Sequence, residues 1–472
     1  MNFNFLNKKV IIFGLGNYKY GSGISAAKFF IRHGAKVLIT DLKSEKVLQQ
    51  QVNRIKLFAK KYKNVPKFIM GEHRISDFRN TDIIIRNPGV PASNKYLVVA
   101  RNARRVIHTD ISLFLKLLQL TAYNEWPKII GITGTRGKST VSAVLTNILK
   151  KAGKTVFLGG NLGYSPLNFI DKLERVRAQG QVYVVLEMSS WMTESLDVFK
   201  ISPQYAAITN FYPDHLNTYI SMSEYINAKA TIFKYQKNND TLFLNRGNTL
   251  TKNLAKRAKA KIVWFASSDL KKDFENLPGE HNRENISAVL TISKILGVNH
   301  KIAIKAIRNF KGLPGRLEFI RELRGVMFYN DTTSTMPEAT IAALRALGRQ
   351  RAKNIVLIAG GADKGLEYTE LAKEILKYIK VLILFKGKAS DKLLKALRMN
   401  ENERENLQKK FAGSKFLLID SISDMHKVVS SAWKSAKRGD IILLSPGAAS
   451  FNIFNNEFDR GDQFVKSVKL LK

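Results

Sequence analysis

Lys128-Ile-Ile-Gly-Ile-Thr-Gly-Thr-Arg-Gly-Lys-Ser-Thr140, continuing as Val-Ser-Ala-Val-Leu-Thr-Asn-Ile-Leu-Lys-Lys-Ala152, decides the fold class of this 472-residue chain. The apolar run Lys128–Gly131 reads as a short strand, and Ser139–Ala152 repeats its apolar residues at helical spacing. Between them lie Gly134 and Gly137. A glycine loop joining a strand to a helix aims successive backbone N–H groups, and the positive end of the helix, at phosphate oxygens. Lys138 can then reach the β- and γ-phosphates of a nucleotide, and the hydroxyl of Ser139 or Thr140 can ligate Mg²⁺. The usual spacing of such loops would need glycine at 132, where Ile132 stands. The bland alternative is a glycine turn with an incidental lysine, and the strand–turn–helix context argues against it.

Downstream, Val182–Leu186 reads as a buried strand ending on Glu187, within Val184-Val-Leu-Glu-Met-Ser-Ser-Trp191. A carboxylate at the carboxyl end of a parallel strand sits beside a phosphate loop and can hold Mg²⁺. A solvated strand end would look the same. Thr209-Asn-Phe-Tyr-Pro-Asp-His215-Leu follows, then Tyr225-Ile-Asn-Ala-Lys229-Ala-Thr-Ile-Phe233. Lone histidines and lysines are usually structural or solvated, but Lys229, surrounded by Ala and Ile on a helix, would need a reason to be near the core. A helix is predicted from Asn282 to Leu296, with Ile286, Val289, Leu290 and Leu296 on one stripe.

Upstream, Lys9–Phe13 reads as a strand, followed by a glycine turn and helical spacing over Ile24–His33. The strand Lys36–Thr40 then closes on Asp41. This is a βαβ unit of nucleotide-binding type. A further strand, Asp82–Ile85, runs into the turn Asn87-Pro-Gly-Val-Pro91. The glycines are irregular for a dinucleotide fingerprint: Gly14 and Gly16 fit, position 19 is Lys, and Gly21 and Gly23 come later. That weakens a dehydrogenase reading. In the last third, strands at Asn354–Ala359, Val381–Phe385, Phe416–Ile419 and Asp440–Leu444 alternate with helical patterns. The whole chain is therefore α/β, with mostly parallel, helix-covered sheets.

Bulk composition bounds the rest. Hydrophobic residues make up 45% and aromatics 10%, the profile of a globular protein. The most apolar stretch, Ile111–Leu120, is interrupted by Lys116 and reads as a buried helix, so no membrane span is expected. No signal peptide is evident at the N-terminus. There are no cysteines, which rules out disulfides and thiolate metal sites and suits a reducing cytoplasm. The formal net charge is +39. A basic nucleic-acid binder is one reading, but the basic residues are spread evenly and no nucleic-acid motif accompanies them. Surface drift toward Lys is favoured, and a basic field would also suit an anionic nucleotide substrate.

Taken together, these elements resemble the Mur ligase family. Thr133-Gly-Thr-Arg-Gly-Lys-Ser-Thr140 is similar to the phosphate loop of Mur ligases and folylpolyglutamate synthetases, and Asp214-His-Leu216 followed by Ala228-Lys-Ala230 resembles a Mur ligase pattern. The resemblance implies that Lys229 becomes carbamylated (N6-carboxylysine) and, with Ser139, Glu187 and His215, organises Mg²⁺, with two metal sites expected. Carbamylation needs a neutral amine, so burial would have to lower the lysine from its ordinary pKa of ~10.4. Gly159-Gly-Asn-Leu-Gly163 resembles the loop that contacts the sugar-peptide precursor, implicating Asn161. Pro278–Asn285 resembles the nucleotide-side helix start, with Asn282 and Asn285 toward ATP. Gly315-Arg-Leu-Glu318 and Tyr329-Asn-Asp331 would bring Arg316 to ATP and Asp331 to the ribose. Ser445–Phe451 and Phe458-Asp-Arg-Gly461 resemble the glutamate-binding end of the glutamate-adding members, implicating Ser450 and Phe458. The first block, with Gly14, Gly16, Asp41, Asn87 and Gly89, resembles their uridine-diphosphate domain, which folylpolyglutamate synthetases lack.

The fold expected is three α/β domains: a Rossmann-like precursor-binding domain (1–120), a central P-loop ATPase domain with a mainly parallel sheet (121–312), and a Rossmann-like glutamate-binding domain (313–472). The resemblance implies ATP-dependent ligation of glutamate to UDP-N-acetylmuramoyl-L-alanine through an acyl phosphate, by a cytoplasmic monomer that binds no nucleic acid. The catalytic set would be Lys138, Glu187, His215 and Lys229, and the ATP set would add Gly134, Thr135, Gly137, Ser139 and Thr140. One departure bears on the acceptor: glutamate-adding members carry lysine two residues after the Asn-Asp aspartate, where this chain has Thr333. Lys364 or Arg316 would then supply the charge, and L-glutamate stays open beside D-glutamate. The rival from another class is a basic P-loop ATPase acting on nucleic acid.

Overall fold

A computed structural model of the chain describes residues 4–16, 18–120, 127–177, 180–212, 219–274, 276–348, 353–397, 419–422, 424–450, 453–454 and 456–472. Seventeen strands occur among these residues, in three sheets. The first sheet takes β1 (Lys9–Phe13), β2 (Lys36–Asp41), β3 (Lys67–Met70), β4 (Ile83–Arg86) and β5 (Val106–His108) in the order 3-2-1-4-5, all parallel. That is the doubly wound order in which the chain reverses direction between β1 and β4. The cause is visible in sequence: Val10–Phe13 and Val37–Ile39 are continuous β-prone apolar runs, as strands covered on both faces must be.

The second sheet takes β6 (Lys128–Thr133), β7 (Thr155–Gly160), β8 (Val182–Glu187), β9 (Tyr205–Ile208), β10 (Thr241–Asn245) and β11 (Lys261–Phe265) in the order 11-10-9-6-8-7, again all parallel. β6 therefore lies between β9 and β8, with later strands added on both sides. The first two sheets belong to one compact unit, residues 1–271 with 284–307. One continuous core serves both: Ile12, Phe29 and Phe114 pack in the same cluster as Leu167, Leu186 and Ile208. The helix Asp110–Leu120 supplies Ile111, Leu113, Phe114, Leu115, Leu117 and Leu118 to that core, as its apolar run predicts.

The second compact unit is residues 272–283 with 308–472. Its sheet takes β12 (Glu318–Leu323), β13 (Val326–Asn330), β14 (Ile355–Gly360), β15 (Ile379–Phe385), β16 (Ile419–Ile422) and β17 (Ile441–Leu444) in the order 12-13-17-14-15-16. Only β12 runs antiparallel, paired with β13 as a hairpin over the turn Arg324-Gly325. Helices cover both faces of this sheet, and each face has its own apolar cluster. β16 begins at Ile419, at the end of the run read as a strand from Phe416, whose first three residues lie outside the described ones.

Candidate active site

Neighbouring segments and the loop's own Lys138 hold the phosphate loop in shape. Gly137 caps the helix Lys138–Lys151 with φ +82°, and Gly134 has φ +141°, conformations that an L side chain rarely adopts. A Cβ at Gly134 would overlap the Thr209 hydroxyl, and one at Gly137 would overlap the Asn285 side chain. The residues after β9 bind the loop from the side. The Thr135 N–H donates to the Asn210 carbonyl and the Arg136 N–H to Asn210 Oδ1, both at 2.9 Å. Thr209 Oγ1 donates to the Arg136 carbonyl at 2.5 Å. Asn245, fully buried, donates to the Thr209 carbonyl at 3.0 Å and so backs this layer from β10. Lys138 Nζ lies over the loop, donating to the Gly134 and Thr135 carbonyls at 3.0 and 2.8 Å. Ser139 is buried and Thr140 half-buried at the same helix start.

Glu187 ends β8, in register with Ile132 of the neighbouring β6, so its carboxylate emerges beside the phosphate loop. It is 2% exposed. Asn161 Nδ2 donates to its Oε1 at 3.0 Å, while Oε2 is buried without a hydrogen-bond partner. An orphaned carboxylate oxygen at this depth is costly unless something positive meets it. Asn161 itself is fixed by its N–H, which donates to the Glu187 carbonyl at 2.9 Å.

Lys229 is 1% exposed, on the helix Met222–Lys234. Its Nζ lies 4.8 Å from the ring centroid of Tyr225, one turn earlier. The Tyr225 hydroxyl is 3.2 Å from Thr135 Oγ1, which also accepts from the Tyr212 N–H at 3.0 Å. The lysine helix is thus tied to the phosphate loop through Tyr225. His215 lies outside the described residues. Among the described residues no group of three His, Asp or Glu side chains is placed to hold a metal. The donors that are present fit Mg²⁺ nevertheless: a hydroxyl at Ser139, the bare oxygen of Glu187, and a buried Lys229 that would become an oxygen ligand on carbamylation.

At the carboxyl end of the first sheet, Gly14 and Gly16 (φ +86° and +74°) pass so close to Asn87 that a Cβ would press on its side chain at 3.0–3.1 Å. Asp41 accepts from the Leu15 N–H at 2.8 Å and from the Lys43 N–H at 2.9 Å. Its carboxylate therefore shapes the glycine loop. Asn87 Oδ1 accepts from the Gly89 N–H at 3.2 Å. The late glycines have work the fingerprint hides. Gly21 caps the helix Ser22–Arg32, and a Cβ at Gly23 would run into the Gly14 and Leu15 carbonyls. A longer loop thereby reaches the same close helix–strand packing that the third glycine gives a standard one.

In the second unit, Asp331 follows β13 and is 5% exposed. Ser445 Oγ donates to its Oδ2 at 2.8 Å, Ser334 Oγ donates to the same atom, and the Leu317 N–H donates to Oδ1 at 3.0 Å. Burial pushes the carboxyl up to about 6, against those hydrogen bonds and the nearby Arg316 charge. Thr333 binds back to the Gly315 carbonyl through N–H (3.0 Å) and Oγ1 (2.9 Å). Lys364 Nζ donates to Thr335 Oγ1 at 3.3 Å, so an ammonium stands over the threonine-rich turn. The Lys364 loop pairs with the Ser450 segment through Ala362 and Ala449. Arg316, Lys364 and Phe458 are exposed, and Ser450 is buried. Asn282 donates to the Pro278 carbonyl at 2.9 Å.

Motif reading missed Asn210, Tyr225 and Arg460 as organisers. Arg460 is 1% exposed and donates to Thr332 Oγ1, the Thr332 carbonyl and the Ala448 carbonyl at 3.1, 2.8 and 3.3 Å. Burial lowers its guanidinium to about 10. It lies inside the Phe458–Gly461 motif, which the sequence singles out without marking the residue that anchors it.

Family signatures match along the chain: "Mur ligase MurD-like, N-terminal domain" over residues 8–108, "Mur ligase middle domain" over 132–307, and "Mur ligase, glutamate ligase domain" over 315–447. The chain belongs to the Mur ligase family. Proteins named UDP-N-acetylmuramoylalanine–D-glutamate ligase are similar to it over almost their whole length. That of Borreliella afzelii (strain PKo) is 36% identical over 490 residues, 98% of each chain. That of Roseiflexus sp. (strain RS-1) is 34% identical, again over 98% of each. That of Clostridioides difficile (strain 630) is 31% identical over 98% of this chain and 99% of its own. Among solved structures, UDP-N-acetylmuramate-alanine ligase from Thermotoga maritima superposes with a TM-score of 0.60 at 20% identity, covering 98% of this chain and 99% of that one. MurF ligase from Thermotoga maritima in complex with ADP does so at 0.54 and 17%, covering 98% and 96%. These likenesses share the three-sheet Mur ligase fold. Like other Mur ligases the chain is built for ATP-dependent ligation. No described helix is long and apolar enough to cross a membrane.

Proposed function

We propose that this Mur ligase joins D-glutamate to UDP-N-acetylmuramoyl-L-alanine with hydrolysis of ATP to ADP and phosphate, as a cytoplasmic monomer in peptidoglycan synthesis. The observation that carries the reading is the pairing of the phosphate loop with a buried, half-satisfied Glu187 and a buried Lys229 tied to that loop through Tyr225. Full-length similarity at 31–36% to proteins named as D-glutamate ligases supports the choice of substrates. On this reading, residues 1–120 bind the precursor, 121–312 bind ATP and 313–472 bind glutamate.

A free carboxylate is too poor an electrophile for an amine. An oxygen of the alanyl carboxylate therefore attacks the γ-phosphorus of ATP, ADP leaves, and an acyl phosphate results. The glutamate amine then attacks the acyl carbon, loses a proton, and inorganic phosphate departs from the tetrahedral intermediate. The amides at the helix start, Gly137 to Ser139, and the Lys138 ammonium bind the β- and γ-phosphates, and hold the transferring group where negative charge develops. The Thr135 and Arg136 amides are taken by Asn210. Ser139, Glu187, carbamylated Lys229 and His215 would hold Mg²⁺ in two sites; when bound, the ions neutralise and align phosphoryl oxygens. Asn161 fixes the Glu187 carboxylate and lies in the precursor loop. Asn282, Asn285, Arg316 and Asp331 serve the nucleotide. Lys364, over the Thr333–Thr335 turn, supplies the cation that other glutamate-adding members carry at position 333, with Ser450 and Phe458 completing the glutamate site.

A second reading keeps the chemistry and changes the acceptor to L-glutamate, and Thr333 is the observation that favours it. Phosphate release from ATP with UDP-N-acetylmuramoyl-L-alanine separates the two. Release with D-glutamate alone is expected. Release with L-glutamate alone would reassign the acceptor pocket, and no precursor-dependent release would refute the proposal.

A further inference from the structure

His73 lies at the carboxyl edge of the first sheet, three residues beyond β3. Its ring is clamped edge-on by Phe13 (centroids 4.7 Å apart, planes at 82°) and Tyr96 (5.1 Å, 78°), and the Tyr96 hydroxyl donates to the His73 carbonyl at 3.1 Å. The imidazole cannot turn freely in that clamp. Its Nδ1 stands 2.7 Å from Oγ1 of the buried Thr40. Thr40 Oγ1 has a single proton and gives it to the Glu72 carbonyl at 2.9 Å. Nδ1 must therefore carry a hydrogen and donate it to Thr40, because two facing lone pairs would otherwise sit in a buried contact. In the neutral ring that leaves Nε2 as a bare acceptor. Burial holds the imidazole below its ordinary value while Asp41 opposes the shift, so the ring is neutral at pH 7. Nε2 has no protein partner among the described residues and is not sealed from solvent.

The position of this acceptor gives it meaning. In doubly wound sheets a nucleotide lies across the carboxyl ends at the switch point, with phosphate at the first glycine loop, ribose at the acid ending the second strand, and base beyond the ribose. Here those places are Gly14–Gly16 after β1, Asp41 at the end of β2, and the segment after β3, where His73 stands. We propose that His73 is a specificity-determining residue that reads the nucleobase of the precursor, its Nε2 accepting the N3–H of uracil. Uracil offers a donor at N3, whereas cytosine offers a lone pair there, so the fixed tautomer favours one base and repels the other. The inference rests on the uridine-linked precursor named above.

The test measures competitive inhibition of precursor-dependent phosphate release by UDP, CDP and N3-methyl-UDP. In the wild type, CDP and N3-methyl-UDP should each bind about tenfold more weakly than UDP, the size of one hydrogen bond replaced by an unpaired group. His73→Phe keeps an aromatic ring in the clamp and removes the acceptor. It should raise the precursor KM about tenfold, leave kcat and the ATP KM within about twofold, and erase the difference among the three nucleotides. Equal inhibition by all three in the wild type overturns the inference without needing any variant. So does a UDP preference that survives His73→Phe. Absence of precursor-dependent release in the wild type would instead strike the functional reading on which it stands.

Discussion

Asp331 should make the stability of the C-terminal unit fall as pH rises from about 4 to 7. Burial moves its carboxyl from an ordinary 3.8 up to about 6. Between those values the folded protein retains a proton that the unfolded chain has released. The contribution is present in full below 3.8 and is lost as pH rises through about 6, amounting to about 3 kcal/mol. Asp331→Asn removes it, since the amide does not titrate. The amide oxygen can still accept from Ser334 and Ser445, but its NH₂ then faces the Leu317 N–H, a pH-independent loss of about 1–3 kcal/mol. The readout is therefore the slope and not the offset. Urea unfolding can be followed through Trp433, the only tryptophan of this unit, with Trp126, Trp191 and Trp264 replaced by Phe. The stability difference between wild type and Asp331→Asn should change by about 3 kcal/mol across the window. Parallel curves from pH 4 to 7 would refute the burial argument.

Three further outcomes follow from the same geometry. Lys229→Ala should abolish ligation while the protein stays folded, and short carboxylates such as formate should restore part of it; unimpaired turnover in that variant would remove the carbamate from the mechanism. Gly137→Ala forces a Cβ into the Asn285 side chain at φ +82°, a strain of about 1–2 kcal/mol before the overlap, so the KM for ATP should rise at least tenfold and the thermal midpoint should fall by a few degrees. Arg460→Met leaves the Thr332 and Ala448 carbonyls without their buried donor and should lower the stability of the C-terminal unit by about 3 kcal/mol in urea titrations.

Much of the architecture was legible because its signals are local. Lys128–Thr140 carries strand, glycine turn and helix start within thirteen residues, and Glu187 closes a run of apolar residues that could hardly be anything but a buried strand. What escaped are contacts between residues far apart in the chain. Arg136 is held by Asn210 at a separation of 74 positions, and Thr135 meets Tyr225 across 90. Neither asparagine nor tyrosine carries a periodicity that would announce such a role. Arg460 was hidden differently: a fully buried arginine held by carbonyls has no sequence signature, because exposed arginines look the same. The first glycine loop misled by its spacing alone. Lys19 stands where a fingerprint wants glycine, yet Gly23 supplies the close approach four residues later.

The same logic bears on the metal site proposed above, which has few acids among the described residues. Glu187 already gives one oxygen to Asn161, and no acidic cluster surrounds it among the described residues. A site made only of Glu187 and hydroxyls would be underpowered for a hard divalent cation, which prefers several charged oxygens. Adding further carboxylates would leave like charges buried together whenever the nucleotide and its metal depart, with each pushing the other's pKa upward. A lysine buried against Tyr225 avoids that difficulty. As an amine it adds no negative charge to the site, and on the proposed carbamylation it would become an anion that serves as a second acid. On that proposal the tie from Tyr225 to Thr135 would matter, because a ligand made on one helix would have to stay in register with phosphates held by another.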